Sequence, residues 1–404
     1  MSKEKNIQLA VETAPRTKKN QHKKIEWIPR ATDTTRKDIM DWRRAVKMAE
    51  NSDDPSNAKL QNIYEQVMND ALLTSQAENR QSKLFNIDFY LRNTNGDIDE
   101  TQTAILNDDV PYREIITAIL ETIYYEYSML QLDWKTDVEG QDRLIAKSLP
   151  RPNIVPQTGM FYYDLADPTK HLKFREEKEY GIWWLEFGDA SKRGLLNKAV
   201  PHILMKSFAQ SCWAELCEIY GIPPRYIKTN TQDKALLNRA ERMMKDMGAA
   251  AWFIIDETEE FKFAEGVSTN GDVYRNLIKL CNNETSLLVS GAIIGQDTEN
   301  GNYSKEQSSR EVLDELVMRD IVLVENNWNN IVIPALKKIG ILQGDIVFKY
   351  DIPEDLEALW EKVKDAMNNY EFDTEWLNEK FGLKITGVKQ TPSFGLSMSE
   401  DFFA

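Results

Sequence analysis

The sequence predicts an α+β protein, and three observations carry this. The first ~190 residues mix amphipathic helical periodicities with short alternating runs bounded by turn residues. Two apolar-rich helical patterns of nearly equal length then bracket a short α/β stretch. Long helical patterns dominate the remainder of the chain, without the regular strand–helix alternation of a parallel sheet.

Residues 34–50 and 56–84 carry helical patterns; in the second, Leu60, Tyr64, Val67, Ala71 and Leu72 recur at three- and four-residue steps. "KLFNIDFYLRN" reads as a strand, broken by the turn residues of "NTNGD". Pro111 suits the first turn of a helix running to about Tyr127. In "SMLQLDWKTD", Met129, Gln131 and Asp133 fall on one side of a strand and Leu130, Leu132 and Trp134 on the other. "TGMFYYDLADPTK" and "EYGIWWLEFGDA" read as further strands, with Trp183 and Trp184 as sheet packing.

The run "PHILMKSFAQSCWAELCEIYGIPPR" predicts a helix opening at Pro201 and stopping at Gly221. His202, Lys206, Gln210, Ser211, Glu215 and Glu218 form its polar stripe. Ile203, Leu204, Phe208, Cys212, Trp213, Leu216, Ile219 and Tyr220 make the rest apolar. Such a helix belongs in the core of a large domain, or between neighbours in an assembly with one edge toward solvent or a channel. The insert after it reads as an extended "IPPRYIK", a helix at 233–247, and strands "AAWFIID" and "EFKFAE". About 45 residues bury little core of their own, so the insert leans on a partner copy.

A second rod starts near Asp272 as N-cap and ends near Gly291. After the polar loop "GAIIGQDTENGNYS" comes a helical stretch from about Lys305 to Lys338, which Pro334 kinks or ends. Leu342 to Tyr350 reads as a strand and 354–381 as amphipathic helix, before a loose tail.

The chain has 404 residues and a formal net charge of −15, which argues against a broad basic DNA-gripping face. The first 24 residues are basic and lack an apolar signal core, so they read as a disordered arm or as a tether. No apolar run approaches the ~18 residues of a membrane span. Cys212, Cys217 and Cys281 read as three buried thiols, not as a disulfide framework or a zinc site. The three histidines, His22, His171 and His202, are far apart in sequence. No nucleophile elbow, phosphate loop or dinucleotide fingerprint appears. Acidic pairs such as Asp314/Glu315 and Asp108/Asp109 read as solvated faces. No catalytic residue, metal ligand or cofactor is therefore expected.

The segment "RGLLNKAVPHILMKSFAQSCWAELCEIYGIPPRYIK" resembles the signature region of the Mu-like portal proteins of tailed phages. The matching positions are Arg193, Gly194, Leu195, Leu196, Lys206, Phe208, Ala209, Trp213, Ala214, Glu215, Tyr220, Gly221, Ile222, Pro223 and Arg225. Gly295, Gln296, Asp297 and Thr298 match that family's Gly-Gln-Thr loop in part.

The resemblance implies a portal-protein fold and a ring, usually of twelve copies, at one capsid vertex. Double-stranded DNA passes through it non-specifically in packaging and ejection. It also implies contacts with the terminase, the major capsid and scaffolding proteins and the head–tail connectors. The protein would lie in the virion, and in the host cytoplasm during assembly.

Mapped by order and length, 1–30 is a basic flexible arm, 31–190 the wing and 191–220 the first stem helix. The clip is 221–268, the second stem helix 269–291 and the tunnel loop 292–303. The long wing helix is 304–340, a C-terminal wing or reduced crown 341–390, and a loose tail 391–404. Gln296, Asp297, Thr298, Asn300, Asn302 and Tyr303 then become candidates to face DNA. Arg225 and Lys228 are candidate clip contacts, to DNA phosphates or to a neighbouring subunit. The competing readings are a DNA-acting enzyme, such as a nuclease or terminase subunit, and another head-assembly adaptor.

Overall fold

The computed structural model describes residues 23–26, 38–136, 140, 142–190, 192–221, 225–246, 252–260, 271–293, 303–352, 356–367, 370 and 372–383. The chain divides into two units, 1–350 and 351–404.

The first unit opens with helices α1 (Ile39–Ala49), α2 (Ala58–Met68) and α3 (Ala71–Phe85). Asp38 and Asp41 cap α1 reciprocally. The single pattern read over 56–84 is two helices, because Asp70 caps α3 by accepting from the Leu72 and Leu73 N–H groups. Strand β1 (Phe89–Asn93) follows, then α4 (Glu100–Asp109) and α5 (Tyr112–Tyr125). The weakly patterned α4, capped by Asp99, has no counterpart in the sequence reading.

Strand β2 (Tyr127–Thr136) is the centre of the unit. It pairs antiparallel with β3 (Asp142–Ser148) on one edge and β7 (Trp184–Gly188) on the other. Its alternation sends Leu130 and Leu132 into one core and Met129 into another. The second core is closed by the small sheet of β4 (Ile154–Val155), β5 (Met160–Tyr162) and β6 (His171–Lys173). Trp184 is fully buried there, as sheet packing requires.

Helix α6 (Leu195–Gly221) leads to β8 (Arg225–Thr229), α7 (Lys234–Asp246) and β9 (Trp252–Asp256). Strands β8 and β9 pair parallel, so this insert is a βαβ crossover. The strand expected at "EFKFAE" lies largely outside the described residues. Helix α8 (Asp272–Ser290) packs along α6. It is capped by Gly271 instead of Asp272, which lies in its first turn, and closes on a left-handed Gly291.

Helix α9 (Tyr303–Asn327) continues through a π-turn at Trp328–Val332 into α10 (Ile333–Ile339). The Ile333 N–H donates five residues back, to the Trp328 carbonyl. Pro334 has no N–H to continue the ordinary ladder, so the expected kink takes this form. Trp328 stacks on Phe348 of β10 (Ile346–Tyr350), which pairs antiparallel with β1. That strand closes the first unit. In the second unit, the stretch read as one helical pattern is α11 (Leu356–Ala366) and α12 (Thr374–Phe381), joined by packing of Trp360 on Phe381.

Three expectations need correction. Helix α6 begins six residues before Pro201, which lies inside it. Cys212 is half-buried and Cys217 exposed, so only Cys281 is a buried thiol. Residues 23–26 of the basic arm are docked on the sheet, with Ile25 buried.

Candidate functional site

The pair α6 and α8 forms a two-rod hairpin with the βαβ insert between their far ends. Three cations, Arg80 and Lys206 buried and Arg193 half-buried, fix its near end to the rest of the unit.

The first is Arg193, just ahead of α6. Its guanidinium Nη1 donates to both carboxylate oxygens of Glu126 at 3.0 Å, and its Nε lies 3.5 Å from Glu50. Glu126 ends α5 with φ of +76°, a left-handed value found at no other non-glycine among the described residues. Glycine would adopt it without cost, but only a carboxylate meets Arg193. Burial pushes the Glu126 carboxyl up to about 7, against the opposing pull of Arg193. Gly194 follows so closely that an added Cβ would come within 2.1 Å of the Tyr124 carbonyl oxygen.

The second cation is Lys206. The sequence reading placed it on a water-facing stripe, but its ammonium is buried 2.7 Å from Asp70 Oδ2. Asp70 therefore both caps α3 and holds α6.

The third is Arg80 on α3. It donates to Asp320 Oδ2 at 2.5 Å and Oδ1 at 2.7 Å, and to the Val289 carbonyl at 3.0 Å. It thus ties the end of α8 to α9. Burial pushes the Asp320 carboxyl up, and the guanidinium offsets part of that. Beside it, Gln76 Nε2 donates to Ser286 Oγ at 2.7 Å.

Farther along, the rods show more solvent than the apolar count implies. Phe208 is 54% exposed on the single chain. Of the predicted polar stripe, Gln210, Glu215 and Glu218 are exposed, His202 and Ser211 half-buried, and Lys206 buried. Trp213 is half-buried against Gly271, where a Cβ would come within 2.7 Å of its indole nitrogen. On α8, Val273, Leu280 and Leu287 recur every seven residues at 69%, 55% and 45% exposure.

Among the other sequence candidates, Gly221 is the last residue of α6 and Arg225 the first of β8. Lys228 is exposed on β8, and Tyr303 opens α9. Gln296, Asp297, Thr298, Asn300, Asn302 and Pro223 lie outside the described residues. Asp70, Glu126, Arg80 and Asp320 escaped the sequence reading. Only Asp70 carried a local signal, as a capping residue before "ALL".

Among the described residues, no group of three or more His, Cys, Asp or Glu is arranged to hold a metal ion. No helix among them is long and apolar enough to cross a membrane.

A family model described as the portal protein of Mu bacteriophage matches residues 61–383. No curated protein matches the chain. One chain of a solved structure, described as the neck of an empty GTA particle computed with C6 symmetry, is similar. It has 13% sequence identity and a TM-score of 0.49, over 80% of this chain and 94% of that one.

Proposed function

The chain belongs to the family of the portal protein of Mu bacteriophage, and from that premise we propose how it serves as a portal protein at a capsid vertex: as one member of a ring of about twelve copies through which double-stranded DNA passes. The observation that carries this reading is the hairpin. Two antiparallel rods are locked at their base by buried and half-buried ion pairs and bear a small βαβ insert at their far end. In this reading α6 and α8 are the stem, the insert is the clip, and the α+β body is the wing. Residues 292–303 are the tunnel loop, and the unit from Asp351 holds what remains of a crown.

The exposed line Val273, Leu280 and Leu287 supports side-by-side packing. A heptad spacing keeps one apolar seam along a helix, and such a seam is stable when another surface covers it. A ring of head-to-tail contacts supplies that cover to every copy. The net charge of −15 suits a conduit, because each phosphate neutralised by a lysine or arginine adds affinity and slows sliding. We assign the clip to docking of the terminase and then of head–tail connectors, and Arg225 and Lys228 within it to contacts with DNA phosphates or with a neighbouring subunit. The wing is assigned to the major capsid and scaffolding proteins. The role is structural, without catalysis. It is exercised in the virion after assembly in the host cytoplasm.

Native mass spectrometry with negative-stain imaging of the purified protein tests this reading. Closed rings with a central channel are expected. A chain that stays monomeric under every assembly condition would overturn it.

A further inference from the structure

Residues 23–26 lie against the face of β2 that carries Met129, Gln131 and Asp133. Ile25 is 2% exposed and belongs to the cluster of Tyr127, Met129, Leu149 and Trp184. Its backbone N–H donates to Gln131 Oε1 at 2.6 Å. The Lys24 ammonium reaches the buried Asp133 carboxylate at 2.5 Å. Lys23 donates through its backbone N–H to Glu179 Oε1 at 3.0 Å, and through its ammonium to Glu177 Oε1 at 2.7 Å.

Three successive residues thus each meet a complementary group, more than a hundred residues away in sequence. Residues 23–26 form no strand, so no ladder of backbone hydrogen bonds holds them. Recognition rests on side chains: one apolar socket, one amide oxygen and three carboxylates. The arm contains a second lysine pair, Lys18 and Lys19, but it is followed by Asn20. Charge alone would not distinguish the two pairs, whereas the socket accepts isoleucine and penalises a buried amide.

We propose that this face of β2 is a peptide-recognition groove for a Lys-Lys-aliphatic segment, and that its occupant is residues 23–26 of this chain. The receptor surface is built by β2, β7 and the 174–184 segment, none of which includes the arm. The groove therefore accepts the same segment supplied in trans once its own is disabled. This holds whether or not the chain forms a ring.

The test uses full-length protein. A Lys24→Glu, Ile25→Asp variant disables its own arm, and a labelled peptide of residues 19–30 is titrated into it by fluorescence anisotropy. The peptide is expected to bind this variant at least tenfold more tightly than it binds wild-type protein. A peptide with Ile25→Asp should bind the variant at least tenfold more weakly, and raised salt should weaken the native peptide severalfold. Equal binding of the two peptides, or no binding of either, would overturn the proposal. Should the double variant fail to fold, trypsin decides. Cleavage after Lys24 in wild-type protein is expected to run at least tenfold slower than in the free peptide, and to accelerate in Asp133→Asn. Cleavage of wild-type protein at the free-peptide rate would overturn the groove.

Discussion

Arg193 grips both carboxylate oxygens of Glu126 at 3.0 Å, where the end of α5 meets the start of α6. The carboxylate is buried and the guanidinium half-buried, and the pair holds Glu126 in a left-handed backbone conformation that costs an ordinary residue roughly 1 kcal/mol. The ion pair therefore fixes the entry of a 27-residue helix. Arg193→Ala leaves a buried carboxylate without its partner and is expected to destabilise the protein by about 3 kcal/mol. Gly194→Ala drives a methyl into the Tyr124 carbonyl and should cost about 1–3 kcal/mol. Urea denaturation of both variants measures this.

Glu126 also makes stability depend on pH. Burial raises its folded-state pKa to about 7, above the ordinary carboxylate value of 4.5. The folded protein therefore holds this proton more tightly than the unfolded chain does. The contribution is fully present below about pH 4.5 and is lost as pH rises through about 7. Glu126→Gln removes this titration. The fall in unfolding free energy between pH 4.5 and 7 should then be shallower in the variant than in wild type. Identical slopes would sink the assignment.

Asp70 has two tasks, and they can be separated. Asp70→Asn keeps a good cap on α3 but removes the charge facing Lys206. Asp70→Ala removes both, and is expected to cost about 1 kcal/mol more than Asp70→Asn. A double-mutant cycle of Asp70→Asn with Lys206→Met should give a coupling of about 0.5–3 kcal/mol. Thermal unfolding of the four proteins reads it.

The α8 seam predicts a variant that folds but does not assemble. Leu280 is half exposed, so Leu280→Asp should change monomer stability by no more than about 0.5 kcal/mol. In an assembly the same charge sits in an apolar contact and should abolish rings in negative-stain images. By contrast, Trp213→Asp is expected to damage folding itself, because the indole packs on Gly271. Gln210→Glu, on the exposed side, should leave folding and assembly intact.

Much of this architecture was legible in the residues. The alternation of Met129 to Trp134 marks a central strand, and its two faces do enter different cores. Pro334 announces a break in a long helix, and the backbone answers with a π-turn. The apolar excess of α6 and α8 marks two rods, and the proline-rich "GIPPR" marks the end of the first. The family motif points to Arg193, Gly194, Lys206 and Trp213, without saying what any of them touches.

Local periodicity records how apolar each turn of the chain is, because side chains three, four or two residues apart share a face. That determined the α+β class, the two rods and most element positions from sequence alone. It does not record which distant group compensates a buried charge. Arg193 meets Glu126 across 67 residues, and Arg80 meets Asp320 across 240. Lys206 is polar and so reads as solvated, yet only Asp70 on another helix decides that it is buried. Phe208 is apolar and so reads as core, yet it is more than half exposed. Even Lys23 and Lys24 read as solvated until Gln131, Asp133, Glu177 and Glu179 come together on one surface. Tertiary structure made these decisions because electrostatic compensation acts through space, between groups that the chain itself keeps far apart.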